Sequence, residues 1–363
     1  MTVGRRIVVT GATGNVGTAL LRRLALSGDR EVVGIARRVP PRGSEPYRHA
    51  DWVACDLGGP GGSRRLAEIV EGADAVVHLA WAIHPRRDDP PMWRTNVAGT
   101  RRLLRAITTT GVRRLVVGSS VAAYSPAPRW SRVSEGWERG GIDGSAYSRG
   151  KVWLEHHLDE FTRQHPGIAV TRLRPCAILQ RDAAGEFAAW LFGRPVPGRW
   201  VGARWLPLPL WPHLRAQVVH ADDVAAATVA ALDRGVEGAF NLAAEPVLSA
   251  GDLASALGGH RVPVPRSVLT AASGLAWRAG VHPLHPGWLE LADKAALVDT
   301  TRARTDLGWT PVHGAVETVT ALVSGLRDRA GTASAALAPE PATPLWRRWA
   351  HGRWGTPSHQ SQH

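Results

Sequence analysis

Residues 10–17 read TGATGNVG, and residues 145–151 read SAYSRGK. The first string follows an apolar, β-branched run, RIVVT (6–10). It precedes a segment in which Leu20, Leu21, Leu24 and Leu26 keep a helical period. Its chemistry would be the holding of phosphate. Gly11 permits a tight turn, Gly14 lets backbone approach a pyrophosphate, and Gly17 allows close helix–strand packing. The helix start, Asn15 and Val16, adds free N–H groups and a positive dipole end. A glycine-rich turn without a ligand is the alternative. The second string places a lysine four residues after a tyrosine, in a chain with two Lys, 42 Arg and three Tyr. Tyr147 and Lys151 would share one helix face and could act together, unless they are only an exposed helix pair.

A second apolar run ends in GIARRVP, with Ala36, Arg37 and Arg38 where an acidic residue would bind a ribose 2′-hydroxyl. An arginine there accommodates a 2′-phosphate, so the strings favour NADP(H), with NAD(H) as the alternative. Charged hydrogen bonds of this kind give roughly a 10- to 150-fold preference.

The elements that must position these groups alternate. RIVVT (6–10), EVVGIA (31–36), WVACD (52–56), AVVHLA (75–80), RLVVGSS (114–120) and AVTRLRP (169–175) read as strands, with helical segments such as 17–28 and 93–111 between most of them. Near-continuous apolar strands in repeated β-α units imply a parallel sheet covered on both faces, with ligands at the strands' carboxyl ends. Residues 218–235 read as a strand end and an Ala-rich helix, in which Asp222 or Asp223 serves as N-cap, and 238–244 as another core strand. Residues 265–281 and 287–298 read as helices, and 299–311 as a short helix and turn. Residues 193–215, rich in Pro and Trp, read as an irregular lobe with apolar surface. From 331 the chain reads as a disordered linker and then a basic tail with Trp346, Trp349 and Trp354; contact with a membrane surface or a protein is the alternative for the tail.

Bulk composition narrows the classes. A 44% hydrophobic and 21% charged content is that of a soluble globular protein. The net charge of +13 is spread along the chain, so no nucleic-acid partner is expected. Cys55 and Cys176 lie in apolar runs and read as buried thiols, and the fifteen His show no metal-ligand spacing. Neither a secretory signal nor a spanning helix is read, so the expected compartment is the cytoplasm.

Taken in order, these motifs resemble the extended short-chain dehydrogenase/reductases, the NAD(P)-dependent epimerase/dehydratase group, over residues 5–325. TGATGNVG is similar to the family's T-G-x-x-G-x-x-G, from Thr10. CDL (55–57) resembles its adenine-side motif, with Asp56 as acceptor for the adenine amino group and Leu57 beside it. HLAW (78–81) resembles H-L-A-A, running under the cofactor through Leu79 and Ala80, although Trp81 replaces a small residue. NVAGT (96–100) matches a helix start, with Asn96 fixing backbone near the cofactor. GSSVAAYS (118–125) and YSRGK match the S-S-x-x-x-Y and Y-x-x-x-K segments. LRP (173–175) matches the strand end near the nicotinamide, at Pro175. VHADDVA (219–225) and DLGWTP (306–311) match later landmarks.

The resemblance implies a Rossmann-type doubly wound parallel sheet, with a smaller, mostly C-terminal substrate-binding lobe. It divides the chain into an NAD(P)-binding domain at 1–180, to which 216–244 returns, a substrate lobe at 181–330 and a disordered tail at 331–363. It implies Tyr147 as general acid/base, its phenol lowered from about 10 by Lys151 and the nicotinamide. Lys151 would also hold the nicotinamide ribose, and Ser120 would polarise the substrate oxygen. Ser119 reads as a strand-end hydrogen-bonder, Tyr124 as pocket lining or packing, and His220 as a satisfied, partly buried side chain.

The substrate is a small molecule of unread identity. Many sugar-nucleotide enzymes of this family carry an Arg just before the strand at 217–220. Here Gln217 stands near that place and Arg215 is offset, which weakens the sugar-nucleotide reading; the Trp- and Pro-rich segment 190–213 suggests a more apolar pocket, open to a lipid-like or aromatic ketone, although Arg194, Arg199 and Arg204 could meet an anionic substrate. Three functions follow: an NADP(H)-linked oxidoreductase, an NAD-retaining epimerase or dehydratase, and a cofactor-binding regulator without turnover. A homodimer is compatible with each.

Overall fold

The computed structural model describes residues 5–59, 62–83, 90–192, 200–280 and 284–339. Its first half runs β1 (Arg5–Thr10), α1 (Asn15–Ala25), β2 (Arg30–Ala36), β3 (Asp51–Ala54), α2 (Gly62–Val70), β4 (Ala75–His78), α3 (Pro90–Trp93), a π-helical segment (Arg94–Gly99), α4 (Thr100–Thr109), β5 (Arg114–Gly118), β6 (Arg132–Val133), α5 (Ala146–Gln164) and β7 (Ala169–Pro175). The second half runs β8 (Ala177–Leu179), α6 (Ala184–Phe192), β9 (Pro207–Leu210), β10 (Arg215–Ala216), β11 (Val218–His220), α7 (Ala221–Arg234), β12 (Gly238–Leu242), β13 (Leu248–Ser249), α8 (Ala250–Ala256), β14 (His260–Pro263), α9 (Arg266–Arg278), α10 (Gly287–Lys294), β15 (Leu297–Val298), α11 (Thr301–Asp306) and α12 (Ala315–Asp328).

Seven strands form one sheet in the order β12-β7-β5-β4-β1-β2-β3, with every neighbouring pair parallel. Alternate side chains of each strand go to opposite faces. Ile7, Val9, Val77 and Val116 pack with Leu20 and Leu24 of α1 and Val224 of α7. Val8, Val33, Val76 and Leu115 pack with Leu66, Leu103 and Leu154 of α2, α4 and α5. The sheet is therefore covered on both faces in the doubly wound Rossmann manner. Strand order reverses between β1 and β4, which opens a crevice beyond Thr10 and His78. A separate apolar cluster joins Leu179, Val201, Val218, Leu248 and Leu322. Among the described residues no helix is long and apolar enough to cross a membrane.

Several expectations need correction. The 287–298 helix stops at Lys294 and gives way to β15, which pairs with β6. The 93–111 helix contains the π-helical segment 94–99. His220, not Asp222 or Asp223, is the N-cap of α7: its ring accepts from Asp222 N, while buried Asp223 receives Val312 N at 2.8 Å and His313 N at 3.1 Å. The described residues 331–339 are packed against the body of the protein. Ser334 and Leu337 are buried, Thr332 meets the Tyr47 hydroxyl at 2.7 Å, and Ser334 donates to Thr13 O at 2.9 Å. Low-complexity composition concealed one leucine and two hydroxyls with partners on the cradle side of the sheet. Residues 340–363, 193–199 and the N-terminal four lie outside the described residues.

Candidate active site

The cradle after β1 has the geometry that its glycines suggest. Gly11 adopts φ 70°, and a Cβ on Gly17 would lie 2.2 Å from Gly11 O, so neither tolerates a side chain. Gly14 differs, because a Cβ there would meet only Gly11 O, at 3.4 Å. Among the described residues nothing demands glycine at 14; a ligand approaching that face would. Gly14 also caps α1 with no side-chain hydrogen bond, which leaves the first-turn N–H groups for an anion. The donor set therefore fits a pyrophosphate.

Around the cradle, Asn15 donates to Ile178 O at 3.1 Å and accepts from Gln180 at 2.7 Å. Thr10 is fully buried and meets His78 Nδ1 at 2.7 Å, with Thr100 on the other ring nitrogen at 3.0 Å. Burial, with the Lys151 charge, pushes His78 down to about 3, so it is a neutral strut between β1, β4 and α4. Arg37 and Arg38 are exposed at the end of β2. Asp56 is exposed and accepts Gly58 N at 3.0 Å, beside buried Leu57. Leu79 N bonds Thr10 O at 3.1 Å and Ala80 N bonds Thr10 Oγ1 at 3.3 Å, so both run along the cradle. Asn96 takes both backbone groups of Ala82, at 2.7 and 2.9 Å.

Ser120 follows β5 at its carboxyl end. Its hydroxyl accepts Ala122 N at 3.1 Å, donates to Pro175 O at 3.5 Å and draws the Tyr147 phenol pKa down. Ser145 caps α5, and Ser148 donates to Ala122 O at 2.6 Å, fastening the first turn of α5 to the Ser120 segment. One turn on, buried Lys151 donates to Gly118 O at 2.8 Å, and its ammonium lies 3.9 Å from the centre of the Trp81 ring. The expectation that Lys151 lowers Tyr147 is corrected here. Burial pushes its phenol up, only partly offset by the Ser120 hydroxyl, because the Lys151 ammonium turns to Gly118 and Trp81 and stands 5.8 Å from the phenol ring centre.

Burial brings Lys151 down to about 7, with Glu155 opposing. The Trp81 face favours the charged form, by up to about 2 kcal/mol when desolvated. Trp81→Leu should therefore lower the Lys151 pKa by about one unit. With two lysines in the chain, lysine-selective NMR labelling resolves it against Lys294. A rise toward the ordinary lysine value would show instead that the indole acts by excluding water.

Behind this trio lies a buried network. Glu155 is fully buried and accepts two bonds from Arg174, both 2.8 Å, with Ser119 at 2.5 Å and Arg172 and Arg139 at 3.3 and 3.4 Å. Arg174 also donates to the Tyr124 hydroxyl at 2.8 Å, which itself donates to Asn241 at 2.7 Å. Tyr124 is fully buried, so it packs and does not line a pocket.

Sequence reasoning missed Trp288, whose ring lies tilted at 31° to that of Tyr147 with centroids 5.4 Å apart. Its place, 141 residues further on, gives no local signal. It also missed a cluster of His220, Asp222 and His313, whose ligand atoms lie within 4.8 Å of one another. The two rings stack at 4.1 Å, His220 Nδ1 accepts Asp222 N, and His313 Nδ1 faces Asp223, so these nitrogens are already engaged. Arg215 is buried and bonds the backbone oxygens of Arg129 and Asp293, while Gln217 clasps Val298 N and O. Both are held by the chain itself.

A doubly wound sheet with a phosphate cradle at its switch point, and Ser, Tyr and Lys at its carboxyl edge, defines a nicotinamide-dinucleotide enzyme fold. Residues 7–243 match the model of the NAD dependent epimerase/dehydratase family, and the chain belongs to that family. An uncharacterized protein of Mycobacterium tuberculosis is 33% identical over 336 residues, 90% of this chain and 30% of that protein. The chain thus spans about 30% of the length of the first curated relatives it matches. Sterol demethylase protein B of Methylococcus capsulatus is 29% identical over 241 residues, 64% of this chain and 67% of that one. The solved UDP-glucose 4-epimerase of Thermus thermophilus, in complex with NAD, superposes with a TM-score of 0.66 at 21% identity, covering 89% of this chain and 99% of that one.

Proposed function

We propose that the protein is an NADP(H)-linked oxidoreductase acting on a carbonyl/alcohol pair in an apolar substrate, with Tyr147 as acid/base. The observation that carries this reading is the grouping of Ser120, just past the carboxyl end of β5, with Tyr147 and, one helical turn on along α5, Lys151. A phenol pushed up by burial stays protonated at neutral pH and is set to act as an acid, which is the role reduction requires. As the substrate oxygen gains charge, Tyr147 gives it a proton and Ser120 donates a hydrogen bond. The Lys151 ammonium would have to leave Gly118 O and turn to the tyrosinate to stabilise it. The cofactor, held by 11–17, Asp56 and the 79–81 segment, supplies the hydride when bound.

Two observations support an apolar substrate. Trp288 walls the catalytic phenol, and Arg215 and Gln217 are committed to backbone partners. The relationship to a sterol demethylase protein points the same way. An anionic sugar nucleotide would find neither Arg215 nor Gln217 free.

Arg37 and Arg38, exposed at the end of β2, would receive the 2′-phosphate. NADPH should bind roughly 10- to 150-fold more tightly than NADH, and Arg37→Ser/Arg38→Ser should erase the difference. Paired titrations of reduced-nicotinamide fluorescence measure this. Tightly retained NAD with no NADPH preference would replace this reading with an epimerase or dehydratase cycle. Binding of neither would leave a protein without turnover.

A further inference from the structure

Beyond α12 the chain closes a short strap, residues 331–337. Thr332 N donates to Leu337 O at 2.8 Å, and Leu337 N donates to Ser334 Oγ at 3.1 Å. Ser334 and Leu337 are buried. The proposed reaction uses none of these residues, yet their hydroxyls reach the cofactor side of the sheet.

The direction of the hydrogen bonds follows from counting protons, since each hydroxyl has one to give. Ser334 gives its proton to Thr13 O at 2.9 Å. Thr332 gives its proton to Ser334 Oγ at 3.2 Å. At the 2.7 Å contact between Tyr47 and Thr332 the phenol is then the donor, and at the 2.9 Å contact between Thr18 and Tyr47 the donor is Thr18. One directed chain therefore runs from Thr18 through Tyr47, Thr332 and Ser334 to Thr13. Bonds aligned in this way polarise and strengthen one another. Tyr47, at its middle, is buried and also takes Trp52 Nε1 on its backbone oxygen at 2.8 Å.

Both ends of this chain lie on the phosphate cradle. Thr13 stands between Gly11 and Gly14, and Thr18 lies in α1, where its N–H bonds Gly14 O at 2.9 Å. The Thr13–Gly14 peptide is held on both sides. Ser334 takes its oxygen, and its N–H, that of Gly14, donates to Gly11 O at 3.0 Å. This peptide leads directly into the uncapped first turn of α1, whose N–H groups would meet a pyrophosphate. Fixing it before the ligand arrives removes an ordering cost from binding.

We infer that Ser334 is a positioning residue for the dinucleotide, acting through Thr13, and that the 331–337 strap holds the glycine turn in its anion-binding shape. The inference rests on the reading that the cradle holds the cofactor pyrophosphate.

In the full chain, Ser334→Ala should raise the NADPH Kd about 3- to 10-fold, the effect of one buried hydrogen bond. Tyr47→Phe cuts the same chain elsewhere and should move the Kd in the same direction. Affinity for adenosine 2′-monophosphate, which has no pyrophosphate, should stay within about twofold in both variants. Hydrogen exchange of the cofactor-free protein, read by mass spectrometry, should quicken at residues 11–18. Unchanged exchange there, or an unchanged NADPH Kd, would overturn the inference. So would an equal loss of affinity for adenosine 2′-monophosphate, because the strap would then support the whole domain and not the turn. Failure of the cradle reading looks different: the parent would bind neither NADPH nor NADH while exchange at 11–18 still responded to Ser334→Ala. That result would keep the brace and overturn its role in cofactor binding.

Discussion

Tyr147→Phe should bind NADPH as the parent protein does and lose turnover by about 10²–10⁴-fold. The substitution removes one oxygen. The ring keeps its contact with Trp288, and helix α5 keeps its Ser145 cap and its Ser148 tie to Ala122. What disappears is the proton that the substrate oxygen must receive. Cofactor titration combined with turnover separates the two effects. Unchanged turnover in the variant would remove Tyr147 from the chemistry. A matching fall in cofactor affinity would make its role one of binding.

Glu155→Ala should be among the most destabilising single changes in the chain, costing about 3–5 kcal/mol. The carboxylate is buried against three guanidinium groups, and its removal leaves buried Arg174 and Arg172 without their counter-charge. For a chain of this size that is a fall in Tm of roughly 4–7 °C. Burial alone would push Glu155 up, but the Arg174 bonds and charge, with Ser119 and Arg172, hold it at about 2. A carboxylate lowered on folding contributes stability that is full above its unfolded value, near 4.5, and is lost as pH falls through about 2. The gap between parent and variant should therefore narrow as pH drops across that window. Thermal unfolding as a function of pH measures it. A gap that is small at neutral pH, or does not change with acid, would contradict this account.

What could be read from the sequence was local. TGATGNVG places its glycines, turn and helix start within eight residues, and Tyr147 and Lys151 lie within one helical turn, so spacing alone placed both. The parallel sheet followed from strands apolar on both faces. Long-range partners carried no such mark. Glu155 draws on Ser119, Arg139, Arg172 and Arg174, which only the packing of α5 against β5 and β7 brings together. Trp81 stood out as a departure from a small residue, but its contact with Lys151, 70 residues later, did not. The phenol's upward shift was missed because Lys151 was expected to face Tyr147, whereas Gly118 O and Trp81 take its ammonium. The cap of α7 was assigned by residue type to an aspartate, while buried Asp223 was needed by the 312–313 backbone.

The most direct test of the central claim is the transfer of deuterium from NADPH labelled at the nicotinamide C4. The full chain would be incubated with a panel of apolar ketones and, separately, with UDP-sugars, and the products weighed by mass spectrometry. The account predicts one deuterium on the carbinol carbon of a ketone-derived alcohol, absent with Tyr147→Phe. A UDP-sugar rearranged without net use of NADPH, by protein carrying its own NAD, would contradict it.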